Sequence, residues 1–93
     1  YILNLMDKKI LHLRKKWDFI DKEILDLLEN RMDIIGKVGQ IKSKLDIPIE
    51  DLDREKEIIK KLTNFSHNKL SDRQLIRIFK AVFQSSKNEQ KKL

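Results

Sequence analysis

The sequence predicts an all-α fold of three helices, the first of them too long for its own domain. Three observations lead there. Apolar residues recur in alternating steps of four and three from Leu13 to Leu45, only two glycines and one proline occur, and that proline, Pro48, stands where the first stripe ends. At 93 residues the chain makes one domain, 1–93, with a modest core.

The first stripe runs Leu13, Trp17, Ile20, Ile24, Leu27, Arg31, Ile34, Val38, Ile41, Leu45. Its helix is expected to start between Met6 and Lys9 and to leave the helical region at Asp46–Ile47, because the residue before a proline is driven out of it. Thirty-odd residues at about 1.5 Å each make a rod of roughly 55 Å. A compact chain of this length has a diameter of only about 32 Å. The seam therefore needs cover from outside, most simply from a second copy, in a homodimer with intertwined long helices. The alternative is a break at Gly36 and Gly39, each of which costs about 1 kcal/mol in a helix. The seam passes through both in phase, which favours the continuous rod. Trp17 reads as a core residue with no catalytic role.

A second helix is expected from Glu50 or Asp51, with Asp51 as N-cap and Leu52, Ile58, Ile59 and Leu62 at helical spacing. It fades at Thr63–Asn64 into a polar connection. The third helix opens at Ser71 with Gln74 three residues on, a capping box. Its stripe runs Leu75, Phe79, Val82, and then turns polar in the same phase at Ser86 and Gln90.

Composition narrows the function. The chain has no cysteine, so it has no disulfides or thiolate metal sites, and His12 and His67 show no metal-ligand spacing. No apolar run approaches the roughly 18 residues of a membrane span. The opening YILNLM is too short for a signal peptide core and lacks a basic flank, so a cytoplasmic location is expected. The net charge of +6 favours anionic partners. The lysines, including Lys87, Lys91 and Lys92 near the C-terminus, read as a solvated face rather than a nucleic-acid surface.

Arg31 puts a permanent cation in an apolar seam, where an unpaired guanidinium costs several kcal/mol as an order of magnitude. It needs an anion, from the protein or from a ligand. Lys42, eleven residues on, lies about 20° round the helix and roughly 16 Å along it. The two side chains, leaning together, leave a gap the size of a small dicarboxylate. Arg14 is too far away to share that gap within one chain but could reach a partner's. Asp51 and Glu55 are a like-charged pair with Arg54 between them in sequence. Taken alone, Asp51 caps the helix and Glu55 pairs with a lysine, while Ser86 and Gln90 mark a seam leaving the core. Together, these groups describe a polar, cation-lined pocket between helices.

In this order and spacing the residues resemble the all-helical chorismate mutase family. The resemblance rests on Leu13-Arg14, Ile20-Asp21, Leu27 to Arg31, Val38-Gly39-Gln40-Ile41-Lys42, Ile47-Pro48-Ile49, Asp51 to Glu55, the stripe from Leu75 to Phe83, and Ser86 with Gln90. It implies a domain-swapped homodimer that rearranges chorismate to prephenate without cofactor or metal. Each site would take Arg31, Lys42, Asp51, Arg54, Glu55, Ser86 and Gln90 from one chain and Arg14 from the other. Arg31 and Arg14 would clamp the substrate carboxylates, and Lys42 and Gln90 would face the ether oxygen. Glu55 and the Asp51 region would take the ring hydroxyl, Arg54 would hold the carboxylates of its helix, and Ser86 would orient a substrate carboxylate. An isochorismate pyruvate lyase shares the fold but tends to lack the acidic pair. A non-catalytic helical dimer binding nucleic acid or a partner helix would need its cations on an outer face.

Overall fold

The computed structural model describes residues 2–92 and is all-helical, with no strand among them; Tyr1 and Leu93 lie outside the described residues. The helices are α1 (Ile2–Lys44), α2 (Leu52–Phe65) and α3 (Asp72–Gln90). Two compact units are present, Tyr1–Asp33 and Ile34–Leu93. Among the described residues no helix is long and apolar enough to cross a membrane.

α1 begins at Ile2, four residues before the expected Met6–Lys9 start. Nothing there stops it. No glycine or proline precedes Met6, and each residue added to a formed helix gains a hydrogen bond. The helix also continues through Gly36 and Gly39, as the unbroken phase of the seam requires. Within the first unit the seam side chains are exposed: Leu13 60%, Trp17 65% and Leu27 67%. Trp17 is thus not covered within this chain. The reason is simple: the first unit is one stretch of helix and has no second element of its own to pack on.

The end of α1 is built more tightly than the proline rule alone explains. Lys42 and Lys44 sit in the last turn, where cations complement the helix dipole. The Ile47 N–H donates to Lys42 O at 2.8 Å and the Asp46 N–H to Ser43 O at 3.4 Å, while Asp46 takes φ 54°. That is a Schellman closure, with aspartate in the left-handed position that glycine usually fills.

In the second unit α2 and α3 pack together. Asp51 caps α2 by accepting the Arg54 N–H at 2.9 Å. Its Ile58, Ile59 and Leu62 are half-buried. α3 opens with the full capping box: Ser71 Oγ accepts the Gln74 N–H at 3.1 Å, and Gln74 Oε1 accepts the Ser71 N–H at 2.9 Å. Leu75 and Phe83 are the buried apolar side chains among the described residues, and the Phe79 and Phe83 rings lie tilted with centroids 6.1 Å apart. Such a pair contributes about 1 kcal/mol beyond its burial.

The left-handed Asp46 yields a stability test. Glycine there removes a steric cost of about 1–2 kcal/mol but adds about 0.5–1 kcal/mol of chain entropy, so Asp46→Gly is expected to gain up to about 1.5 kcal/mol. A Tm no higher than that of the parent would contradict it.

Candidate functional site

The second unit brings its polar groups together because one helix has no side chain at the crossing. Gly39 is buried, and a Cβ built on it would stand 2.9 Å from Gln90 Cα and 3.1 Å from Gln90 Cβ and Cγ. Only glycine lets α1 approach the last turn of α3 so closely. Lys42, one turn further along α1, is thereby carried to the same place. A cavity of about 300 Å³ opens there, lined by Gly39, Lys42, Ile47, Ile49 and Gln90 among others. That volume is at the small end of the range that holds small molecules.

Each polar group is held from a different direction. The Lys42 ammonium donates to Ile49 O at 3.0 Å, which ties it to the α1–α2 connection and leaves two of its three hydrogens for other acceptors. Gln90 is buried, and its Nε2 donates to Ser86 O at 3.3 Å. Its Oε1 is fully enclosed and has no hydrogen-bond partner among the described residues. A buried amide oxygen left unpaired costs about 1–3 kcal/mol, a cost a ligand bearing a donor removes. Ser86, one turn earlier on α3, is buried and donates from Oγ to Val82 O at 2.9 Å.

The acidic side of the unit is organised by a residue that sequence reading places on a solvated face. Lys87 is only 20% exposed, and its ammonium reaches Glu50 Oε1 and Glu55 Oε2, each at 3.1 Å. Its hydrogen bonds to Glu50 and then Glu55 hold it above the usual lysine pKa. A raised lysine value means the stabilisation is complete below the unfolded-state pKa and disappears only as pH rises through the folded one, so the bridge persists across the neutral range. Glu55 therefore pairs with a lysine, the plainer of its two readings, and Asp51 caps α2.

Arg54 holds a carboxylate of its own helix, that of Glu57. Its guanidinium bonds Glu57 on the exposed face of α2, and Lys61 joins the same carboxylate at 3.2 Å. These contacts lower the Glu57 pKa, the hydrogen bond from Lys61 most. The spacing explains it: Glu57 is one turn beyond Arg54, within easy reach, and the Arg54 backbone already serves as the donor to Asp51. It is Lys87, not Arg54, that holds Glu55.

In the second unit Lys42 and Gln90 line one cavity, Gln90 bonds the Ser86 carbonyl, and Glu55 is tied to α3 through Lys87 beside a separate apolar hollow with Ile59, Ile76 and Phe83, while Asp51 and Arg54 are exposed at the start of α2. Arg14, exposed, and Arg31, half-buried, belong to the first unit. Sequence reasoning missed Lys87, Glu50 and the packing role of Gly39. The available signal was position: Lys87 directly follows Ser86 and lies one turn before Gln90 on the same helix. Chemically, a fixed cation and a buried amide beside a small cavity suit binding an anion and stabilising charge on an oxygen.

The model of the family "Chorismate mutase type II" matches residues 13–91. The chorismate mutase of Methanocaldococcus jannaschii is 36% identical over 87 residues, covering 92% of this chain and 88% of that one. Among solved structures, chorismate mutase form II from Thermus thermophilus superposes with a TM-score of 0.88 at 30% identity, over 90% of this chain and 96% of that one. The Helicobacter pylori chorismate mutase in complex with prephenate gives a TM-score of 0.83 at 33% identity, over 88% and 89% of the two chains. The chain spans only 22% of the bifunctional chorismate mutase/prephenate dehydratase of Buchnera aphidicola subsp. Schizaphis graminum, which it matches at 35% identity over 85 residues.

The two glycines of α1 separate the crossing from the helix. Gly36→Ala, with nothing within 4 Å of the added Cβ, is expected to stabilise the fold by about 1 kcal/mol. Gly39→Ala meets backbone and is expected to destabilise by about 1–3 kcal/mol. Chemical denaturation of both variants tests this, and equal effects would remove the close approach as the reason for Gly39.

Proposed function

The chain belongs to the chorismate mutase type II family, and from that premise we propose that it rearranges chorismate to prephenate as a homodimer. One observation carries the reading: the Lys42 ammonium and the buried Gln90 amide line one cavity in the second unit. The reaction is concerted. The ether C–O bond of the substrate breaks as a new C–C bond forms within the same molecule, with no proton transferred and no covalent link to the protein. What a protein can add is shape and charge.

Chorismate is a dianion with a flexible side arm. Arg31, together with Arg14 from a second copy, would clamp its two carboxylates through paired N–H bonds, and Ser86 would orient one of them. Clamping holds the side arm over the ring, so orientational entropy is lost in binding rather than at the barrier. As the C–O bond lengthens, negative charge gathers on the ether oxygen. Lys42 has two unused N–H donors and Gln90 Nε2 has one, and these would meet that charge without reorganising. Glu55, held by Lys87 through Oε2, would accept from the ring hydroxyl. Asp51 and Arg54, on the same opening turn, complete the substrate-binding set.

A second copy also answers the exposed seam. Leu13, Trp17, Ile20, Ile24 and Leu27 are each about half exposed or more in the chain alone, a continuous apolar face on the first unit. Burying it gains about 25 cal/mol per Å². Isologous pairing of this face through intertwined long helices supports the domain-swapped arrangement and is what would bring Arg14 to the other chain's site.

Two outcomes are expected. Lys42→Ala should lose about 10²-fold or more in kcat, about 3 kcal/mol of barrier, as followed by the decay of chorismate absorbance, with helicity retained. Arg14→Ala and Lys42→Ala chains, each inactive alone, should recover activity when unfolded and refolded together, because one hybrid site is then complete. No recovery on mixing would refute sharing of the site, and no prephenate from the parent chain would refute the reaction.

A further inference from the structure

We propose that Lys87 is the positioning residue for Glu55, acting on the substrate through that carboxylate and not by touching it. The inference rests on the reading of Glu55 as the acceptor of the substrate hydroxyl. Its ground is the geometry of the bridge. The Lys87 ammonium reaches Glu50 from the α1–α2 connection and Glu55 from the first turns of α2, both at 3.1 Å, while Lys87 itself lies on the last turns of α3. One cation thus joins three segments, two of which carry other groups of the site.

Several other ion pairs among the described residues do something different. Lys22–Asp26, Arg54–Glu57 and Lys61–Glu57 each link neighbours on one stretch of chain, three or four residues apart, at a largely exposed surface, and Lys92–Glu89 joins residues three apart with an exposed lysine. Such pairs contribute little. Lys87–Glu50 spans 37 residues of sequence, and both Lys87 and Glu55 are mostly withdrawn from water, at 20% and 23% exposure. Ordering a long lysine side chain costs rotamer entropy, and here it is tied at its tip by two carboxylates.

The bridge has two consequences for a dianionic substrate. Lys87 binds Glu55 through Oε2, which fixes the carboxylate and leaves Oε1 to accept from the hydroxyl. It also offsets one of the two negative charges of Glu50 and Glu55, which lessens their repulsion of the substrate carboxylates. Since the two carboxylates engage the ammonium, Lys87 is neutralised where it stands and is not a further anion clamp. A hydroxyl accepted in both ground and transition states is uniform binding, so the effect falls on KM.

The test is a steady-state double-mutant cycle on the full chain with chorismate, using Lys87→Met, Glu55→Gln, their combination, and Lys87→Arg. Lys87→Met is expected to raise KM about tenfold with a smaller change in kcat, and Lys87→Arg to restore most of it, because a guanidinium can bridge two carboxylates. In the Glu55→Gln background Lys87→Met should add nothing, since its target is gone. Losses that multiply would mean Lys87 works independently of Glu55, and a loss in kcat alone that tracks a lower Tm would mean it only holds the fold. Either result overturns this inference and leaves the reading of Glu55 intact. If Glu55→Gln leaves both constants unchanged, the Glu55 reading itself fails and takes the inference with it.

Discussion

The architecture of the second unit depends on the absence of one methyl group. At Gly39 the backbone of α1 lies against Gln90 so closely that any Cβ would collide with the Gln90 main chain. Interiors pack at crystal-like density, so a misfit of this size is not absorbed by a small shift of soft side chains. The contact sets where α3 ends relative to α1 and, with it, how near the Lys42 ammonium stands to the Gln90 amide. The helical cost of glycine, about 1 kcal/mol, is the cost of bringing two polar groups to one cavity.

Around that contact, charge is sorted by what each side chain can reach. Lys42 is held by a carbonyl, Lys87 by two carboxylates and Arg54 by Glu57. Only the first keeps a cation whose charge is not matched by an adjacent carboxylate among these contacts, which suits it to an anionic ligand. Among the described residues the buried apolar side chains are Leu75 and Phe83, both on α3, while the apolar seam of the first unit is exposed.

Much of this is legible in the sequence, for identifiable reasons. The capping box at Ser71–Gln74, the Asp51 cap and the α1 exit before Pro48 are local: a few neighbouring residues decide them, and the structure follows them closely. The polar continuation of the α3 stripe correctly points inward, since Ser86 and Gln90 are buried. What escapes is non-local. Lys87 looks like any lysine in a basic segment until Glu50 and Glu55 fold against it, and helical periodicity says nothing about a partner 37 residues away. Gly39 registers as a helix-weakening residue because its benefit lies on another helix. The early start of α1 escapes for the opposite reason, because no residue there marks a boundary at all.

The hold of Ile49 O on Lys42 has a consequence for how such a chain can change over time. Surface connections ordinarily tolerate insertions and deletions, since little depends on their length. The segment between α1 and α2 is different. Its first residues close α1 by the Asp46 and Ile47 amides, and its carbonyl at Ile49 fixes the reach of the Lys42 ammonium. Adding or removing one residue between them would displace the acceptor by up to about 3.5 Å, more than the tolerance of a hydrogen bond. This stretch should therefore drift in composition while keeping its length, behaving under selection as a ruler rather than a linker.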